Sequence, residues 1–282
     1  MKSVHLSAIK ILAFIALVGL CTMSCQKLYR PPLNVIPDPP PPPYNPLKTF
    51  WSFENNTTDS GEDTLSAAAT NITYVDGING KAMQGSSNGY LLIENPGDTI
   101  KNLGSFTISY WMNFTGPVTG GARGIFSISN EKQFWGNFDI FLENFGDDST
   151  TAYLKMHMYN SNFDADDSKS EEWTEMKLPN VLGKWSHIAI TYDSSTSALT
   201  VYSDGASAFT KVIKEGTYGP IAFANVKGMV VGTFQFQTSP SQTTSAEAQD
   251  WAKNYEGALD QFRIYNKVLT AGEVMQLYTS KE

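Results

Sequence analysis

The sequence predicts an all-β fold: an antiparallel sandwich of two sheets with one short C-terminal helix. Three observations predict it. From residue 49 onward, short runs of alternating apolar and polar residues recur, with turn signals roughly every 8–12 residues. No stretch shows the strand–helix–strand rhythm of a parallel sheet. Only one helix start is fully written out, the capping box Thr270-Ala271-Gly272-Glu273.

The strands can be read in order. Residues 105–114 place Phe106, Ile108, Tyr110, Met112 and Phe114 on one face, with Thr107, Ser109, Trp111 and Asn113 on the other. Residues 153–159 set Tyr153, Lys155, His157 and Tyr159 against Leu154, Met156 and Met158. Residues 184–192 and 198–203 are two strands joined by the polar connection 193–197, and Asp204-Gly205 then supplies a two-residue hairpin turn. Residues 228–234 and 257–265 are β-rich as well. In the final helix, Leu269 and Val274 hold the staple positions, and Val274, Leu277 and Tyr278 share a face. Such a short helix is expected to plug an end of the sandwich.

The remainder of the 282 residues does not belong to this fold. Composition divides the chain into residues 1–24, 25–48 and 49–282. Lys2 and Lys10 precede an apolar run over 11–20, too short for a spanning helix and of signal-peptide length. Thr22-Met23-Ser24-Cys25 resembles a lipobox, which implies cleavage before Cys25 and acylation of its thiol. Cys21 is the rival, although Leu20 before it is large; an uncleaved anchor helix is the structural alternative. Either way the chain stays on a membrane. Nine of the 14 prolines fall within 31–46, giving a polyproline II spacer of roughly 50 Å. A docking motif for proline-binding partners is the alternative reading of that run.

Charge and cysteine usage exclude several functions. The formal net charge is −8, and loss of residues 1–24 with Lys2 and Lys10 takes it to −10. An acidic chain without a Lys/Arg cluster argues against nucleic acid, whose binding requires phosphate neutralisation. Cys21 and Cys25 are the only cysteines, so a disulfide framework and a zinc–cysteine site are excluded.

Six segments taken together resemble a known family. They are Phe50-Trp51-Ser52-Phe53-Glu54, Asp76-Gly77-Ile78-Asn79-Gly80-Lys81-Ala82, Phe106-Thr107-Ile108-Ser109-Tyr110-Trp111, Trp185-Ser186-His187-Ile188-Ala189-Ile190-Thr191-Tyr192-Asp193, Val201-Tyr202-Ser203-Asp204-Gly205, and the run from Leu259-Asp260-Gln261-Phe262 to Val268-Leu269-Thr270. In that order they resemble bacterial laminin-G-like, concanavalin A-like lectin/glucanase domains over about residues 49–279. The segment Ser24-Cys25-Gln26-Lys27 is similar to Bacteroidetes lipoproteins. The resemblance implies a jelly-roll of two curved antiparallel sheets. It does not select among lectin, adhesive module and glycosidase. It also implies a structural calcium joining the first and last strands, held by Asn56, Asp59 and Asp260; Asp59 as a turn cap and Asp260 as a backbone acceptor is the equal alternative. No organic cofactor is expected.

Catalytic chemistry is sparse. Of three histidines, His5 lies in the leader, His187 in the family strand motif and His157 alone on a strand. A glucanase of this fold class carries a Glu-x-Asp-x-Glu strand, whereas Glu171-Glu172-Trp173-Thr174-Glu175 has Trp173 at the centre. Glu171 and Glu175, four residues apart on a strand, stand about 13 Å apart, beyond the separation a glycosidase pair needs. Asp164 and Asp166, two residues apart, have the right separation but sit in an Asp/Ser loop. Asp164-x-Asp166-x-Ser168 with Glu175 superficially copies a calcium-binding loop, but Lys169 stands where that loop turns on glycine.

A binding surface is easier to find. Saccharides are held by flat aromatic faces together with amides and carboxylates that pair their hydroxyls. Trp51, Trp111 and Trp185 lie in family strand motifs and are expected in the core. Trp135, Trp173 and Trp251 lie in polar segments, and with Tyr159 and Tyr255 they are the candidate ligand-binding residues. The expected protein is a non-catalytic lipoprotein of the cell envelope, anchored through Cys25 to the outer membrane on its surface or periplasmic side. Its expected partner is a glycan or polysaccharide, with a surface protein as the alternative and a glycoside hydrolase as the less favoured one.

Overall fold

The computed structural model describes residues 44–281. The leader, Cys25 and the proline run lie outside the described residues. Alternation is realised as two stacked sheets. The first has the order β13 (Ala206–Val212), β12 (Ala198–Ser203), β11 (Ser186–Asp193), β6 (Phe106–Asn113), β16 (Ala258–Tyr265), β4 (Lys81–Gln84) and β3 (Thr73–Asp76), with β1 (Leu47–Trp51) also paired to β16. The second runs β10 (Glu171–Leu178), β9 (Ala152–Tyr159), β8 (Phe138–Leu142), β7 (Ala122–Ile128), β14 (Gly228–Val231), β5 (Tyr90–Glu94) and β2 (Ala68–Thr70). Pairing is antiparallel except for β15 (Ala252–Asn254), which lies parallel to β7. The sandwich also takes in residues 44–48, which the sequence assigned to the tether: Tyr44 Oη donates to Asn266 Oδ1 at 2.6 Å, and β1 begins at Leu47.

The core lies between the inner faces. Phe262 is at its centre, its ring 5.9 Å from Trp51, 5.5 Å from Tyr110 and 5.1 Å from Phe126. A bulge just before it, with Gln261 at φ 51°, shifts the register between Asp260 and Arg263. Strand β6 is buried on both faces. Two of its outward polar groups are paired, Thr107 Oγ1 donating to the Lys267 carbonyl at 2.7 Å and Ser109 Oγ meeting His187 Nε2 at 2.8 Å, whereas Trp111 Nε1 and Asn113 Oδ1 have no hydrogen-bond partner.

Three short helices are described: α1 (Gly97–Lys101), α2 (Asp167–Ser170) and α3 (Ala271–Ser280). The capping box of α3 forms as read, with Glu273 N donating to Thr270 Oγ1 at 3.2 Å and Thr270 N to Glu273 Oε2 at 2.7 Å. Its position differs from the expected end plug. Val274 packs with Ala189, Tyr202 and Tyr265 on the outer face of the first sheet, and Tyr278 stacks on Trp111 at 5.6 Å. The apolar outer residues of β11, β12 and β16 explain this, since they needed a cover. At the hairpin after β12, Asp204 and Gly205 take φ of 49° and 79°, the positive values a two-residue turn requires.

Candidate functional site

The outer face of the second sheet carries the site. Its inner partners Leu154, Met156 and Met158 enter the core, so alternation turns Tyr153, Lys155, His157 and Tyr159 outward. Register then sets two rungs across β8, β9 and β10: Asp139, His157 and Trp173 on one, Phe141, Lys155 and Glu175 on the next. Residues 129–137 and 235–251 fold over one side of this face. Buried Gln235 ties them together: its Oε1 accepts Asn130 N at 2.7 Å, and its Nε2 donates to the Gln133 and Phe134 carbonyls, both at 2.9 Å.

That fold-back builds a second apolar cluster outside the main core, from Phe141, Phe234 and Phe236 with Phe134 and Trp135 against them. Trp135 is half-buried at its centre. It meets Trp173 edge-on at 4.9 Å, Trp251 at 5.7 Å, and stacks parallel to Phe141 at 5.8 Å. Trp173 and Trp251 remain 41% and 40% exposed, the most exposed tryptophans among the described residues. Three tryptophans from separate segments thus form one aromatic surface. Sequence reading proposed each singly; their convergence depends on the 235–251 fold-back, which leaves no periodic signal.

A polar row continues from it along the same face. Lys155 Nζ lies 3.2 Å from Glu143 and 3.4 Å from Glu175. Those two carboxylate oxygens are therefore no more than 6.6 Å apart. This corrects the expectation that no acid pair sits at working distance, because Glu143, just past the end of β8, and Glu175 on β10 meet across β9. A glycosidase acid is held protonated by a raised pKa. Here Tyr153's hydroxyl, aided by Lys155, holds the Glu175 carboxyl below its ordinary value against the opposing effect of desolvation. The ammonium between the two acids suits hydrogen bonding to hydroxyls better than proton transfer.

Beneath the tryptophans lies a buried polar string that sequence reading missed. Ser127 Oγ donates to Asp139 Oδ1 at 2.6 Å, and Asp139 Oδ2 lies 3.4 Å from His157 Nδ1. Nδ1 is also 3.0 Å from the Gly136 carbonyl, which can only accept, so Nδ1 carries the proton. The serine is bonded to the carboxylate and not to the imidazole, the reverse of a nucleophile–base pair. The Ser109–His187 pair has the right contact but is fully buried. Burial, then Arg263, pushes the His187 imidazole down to about 4.

The other site residues fall elsewhere. Tyr159 is buried on the rim, its hydroxyl donating to Asp167 at 2.7 Å, and burial followed by that bond pushes it up to about 12. Tyr255 is corrected outright. It is fully buried against Phe114 at 5.5 Å, because the β15 segment that exposes Trp251 turns Tyr255 inward, and it presents no face to a ligand. Trp51 is core as expected, Trp111 is buried on the outer face of the first sheet beneath Tyr278, and Trp185 is only half-buried and lines a cleft.

The calcium set does not assemble as implied. Asp59 Oδ1 accepts Phe50 N at 2.7 Å and Gly61 N at 2.8 Å, and its Oδ2 accepts Leu65 N at 2.8 Å. Asp260 accepts Ile78 N at 2.9 Å and Gln261 N at 2.7 Å, while Asn56 Oδ1 accepts Thr58 N at 2.8 Å. Each oxygen faces N–H dipoles, which repel a cation, so these residues do not fit the ion. Desolvation also raises the Asp260 carboxyl to about 6. Asp166 caps α2 by accepting Ser168 N at 3.1 Å, and Glu175 turns to Lys155, so the 164–175 loop forms no calcium cradle. Among the described residues no cluster of three or more His, Cys, Asp or Glu is placed to hold a metal.

Comparison with known proteins agrees with this architecture. The structure is similar to the binding domain of Paraclostridial Mosquitocidal Protein 1, at 19% identity and a TM-score of 0.59, over 83% of this chain and 52% of that one. It is also similar to the binding domain of botulinum neurotoxin DC, solved in complex with rat synaptotagmin II (16%, TM-score 0.56, 83% and 51%) and with SialylT (14%, TM-score 0.57, 83% and 51%). The chain thus spans about half the length of these structures, and at such identities the likeness shows the fold alone. No curated protein matches by sequence. A family described as the Concanavalin A-like lectin/glucanases superfamily matches residues 84–275. With both sheets and the matched span in agreement, the chain belongs to the concanavalin A-like lectin/glucanases superfamily.

Proposed function

We propose that the chain is a non-catalytic carbohydrate-binding module, held on the outer membrane of the cell envelope by a lipidated Cys25 and set off from it by the proline spacer. The observation that carries this reading is the aromatic surface of Trp135, Trp173 and Trp251, continuous with the polar row of Lys155, Glu143, Glu175 and Tyr153. Indole faces stack on sugar C–H patches, and the row pairs hydroxyls in both senses, since it holds ammonium donors and carboxylate acceptors. The net acidity disfavours polyanions. The neighbours support binding in general: the binding domain of botulinum neurotoxin DC was solved both with SialylT and with rat synaptotagmin II. A protein partner is the second reading, favoured by the same exposed indoles.

A glycan-array screen of the intact chain tests the proposal, with the Trp173→Ala/Trp251→Ala double variant alongside. Saccharide retention by wild type and its loss in the folded variant is the expected result. Retention of no saccharide, or equal retention by both proteins, overturns it. Metabolic labelling with a fatty acid, abolished by Cys25→Ser, tests the anchor.

A further inference from the structure

We propose that the aromatic surface takes a linear oligosaccharide of roughly three or more linked rings lying along the strands, with a second stacking site at Tyr153 and Phe145. This inference rests on the carbohydrate reading above and adds to it the length of what is bound. Register sets three rungs along the outer face of β9 and β10. Trp173 stands on the first, Lys155 and Glu175 on the second, and Tyr153 with Lys177 on the third. Trp173 and Lys177 are four residues apart on one strand, so the outer rungs lie about 13 Å apart.

The third rung is aromatic, like the first. Phe145, in the loop after β8, meets Tyr153 edge-on at 5.7 Å. That loop is tied down: Phe145 N donates to the Val118 carbonyl at 3.3 Å, and Glu143 N donates to the Tyr153 carbonyl at 2.8 Å. The Lys177 ammonium lies 4.2 Å from the centre of the Phe145 ring and 5.9 Å from that of Tyr153. These groups are open to solvent. Lys177 and Glu175 are exposed, and Phe145, Tyr153, Lys155 and Glu143 are half-buried.

The spacing sets the length of the occupant. A sugar ring is shorter than one rung, so a ring stacked on Trp173 stops short of Tyr153. A chain of roughly three linked rings bridges the two, stacked at each end and hydrogen-bonded by Lys155 and Glu175 between them. The second stacking contact is then made by a ligand already held at the first, which raises affinity without further loss of translational freedom. Longer chains continue past Trp173 onto Trp135, 4.9 Å away, and Trp251 beyond it at 5.7 Å. The two carboxylates, Glu143 and Glu175, balance the two ammonium groups, Lys155 and Lys177, so the strip selects for length and not for charge.

The test is titration calorimetry of the intact chain with cello-, laminari-, malto-, xylo- and manno-oligosaccharides of one to six residues. In at least one series affinity is expected to rise about tenfold between the disaccharide and the tetrasaccharide and then to level off. Tyr153→Ala is expected to weaken hexasaccharide binding about five- to tenfold and to leave disaccharide affinity unchanged. That unchanged value also reports a folded first site. Phe145→Ala, outside every strand, is expected to reproduce the pattern with the sheet untouched. Equal affinity for monosaccharide and hexasaccharide, or hexasaccharide affinity unchanged in both variants, overturns this inference and leaves the carbohydrate reading standing. Binding of none of these saccharides at any length overturns both.

Discussion

Truncating Trp173 to alanine tests the aromatic surface most sharply. A tryptophan presents roughly 150–250 Å², of which 41% remains exposed at Trp173. A stacked ligand therefore covers at most roughly 60–100 Å² of it, contributing about 1.5–2.5 kcal/mol at ~25 cal/mol per Å². The expected loss of affinity is about 13- to 70-fold by the usual conversion. Titration calorimetry with the saccharide identified on the array measures it. Trp173 also abuts Trp135 edge-on at 4.9 Å, and such pairs contribute about 0.5–1.5 kcal/mol, so unfolding of the variant must be measured in parallel. Affinity within twofold of wild type, in a protein of near-native stability, refutes the reasoning.

Four further outcomes follow from the geometry. Tyr255→Phe removes a fully buried hydroxyl that has no partner, and is expected to stabilise the fold by about 1 kcal/mol in urea denaturation while leaving affinity unchanged. Asp59→Ala strips an acceptor from three backbone N–H groups and is expected to cost about 3 kcal/mol or more in the same assay. His187 is held neutral, with its folded value lowered from 6.5 to about 4. The unfolded chain therefore binds more protons in that window, and stability falls by up to about 3 kcal/mol as pH drops from 6.5 towards 4. The variant His187→Gln should lose that slope in pH-dependent denaturation. It should also unmask the opposite slope of Asp260, whose raised value stabilises below pH 3.8 and is lost as pH rises through about 6. Lys155→Met leaves Glu143 and Glu175 without their shared cation, so carboxyl ¹³C titration should show Glu175 moving upward.

Much of the sandwich is legible because side-chain alternation is a local property. The periods over 105–114 and 153–159 become β6 and β9 with the faces as read, and Thr270 with Glu273 sets the start of α3. What the sequence does not carry is long-range placement. The period of β11, β12 and β16 contains no statement that α3 will lie over their outer faces. Glu143 and Glu175 are 32 positions apart and become neighbours only through the pairing of β8 and β10 with β9. Among the tryptophans, a polar neighbourhood was a fair guide for Trp173 and Trp251. Family position misled for Trp185, because it lies one residue before β11 begins and stands at a cleft mouth. Tyr255 misled for the reverse reason: a three-residue strand, β15, exposes one neighbour and buries the next.

If the aromatic surface is the binding site, ligand lies across the outer face of β8, β9 and β10. Hydroxyl-radical footprinting with mass spectrometry tests it directly on the unmodified chain, with and without the bound saccharide. Met275, 40% exposed on α3, is a built-in reference as exposed to solvent as the two indoles. Saccharide is expected to protect Trp173 and Trp251 from oxidation and to leave Met275 unchanged. Protection of Met275 with both indoles still oxidised would contradict it.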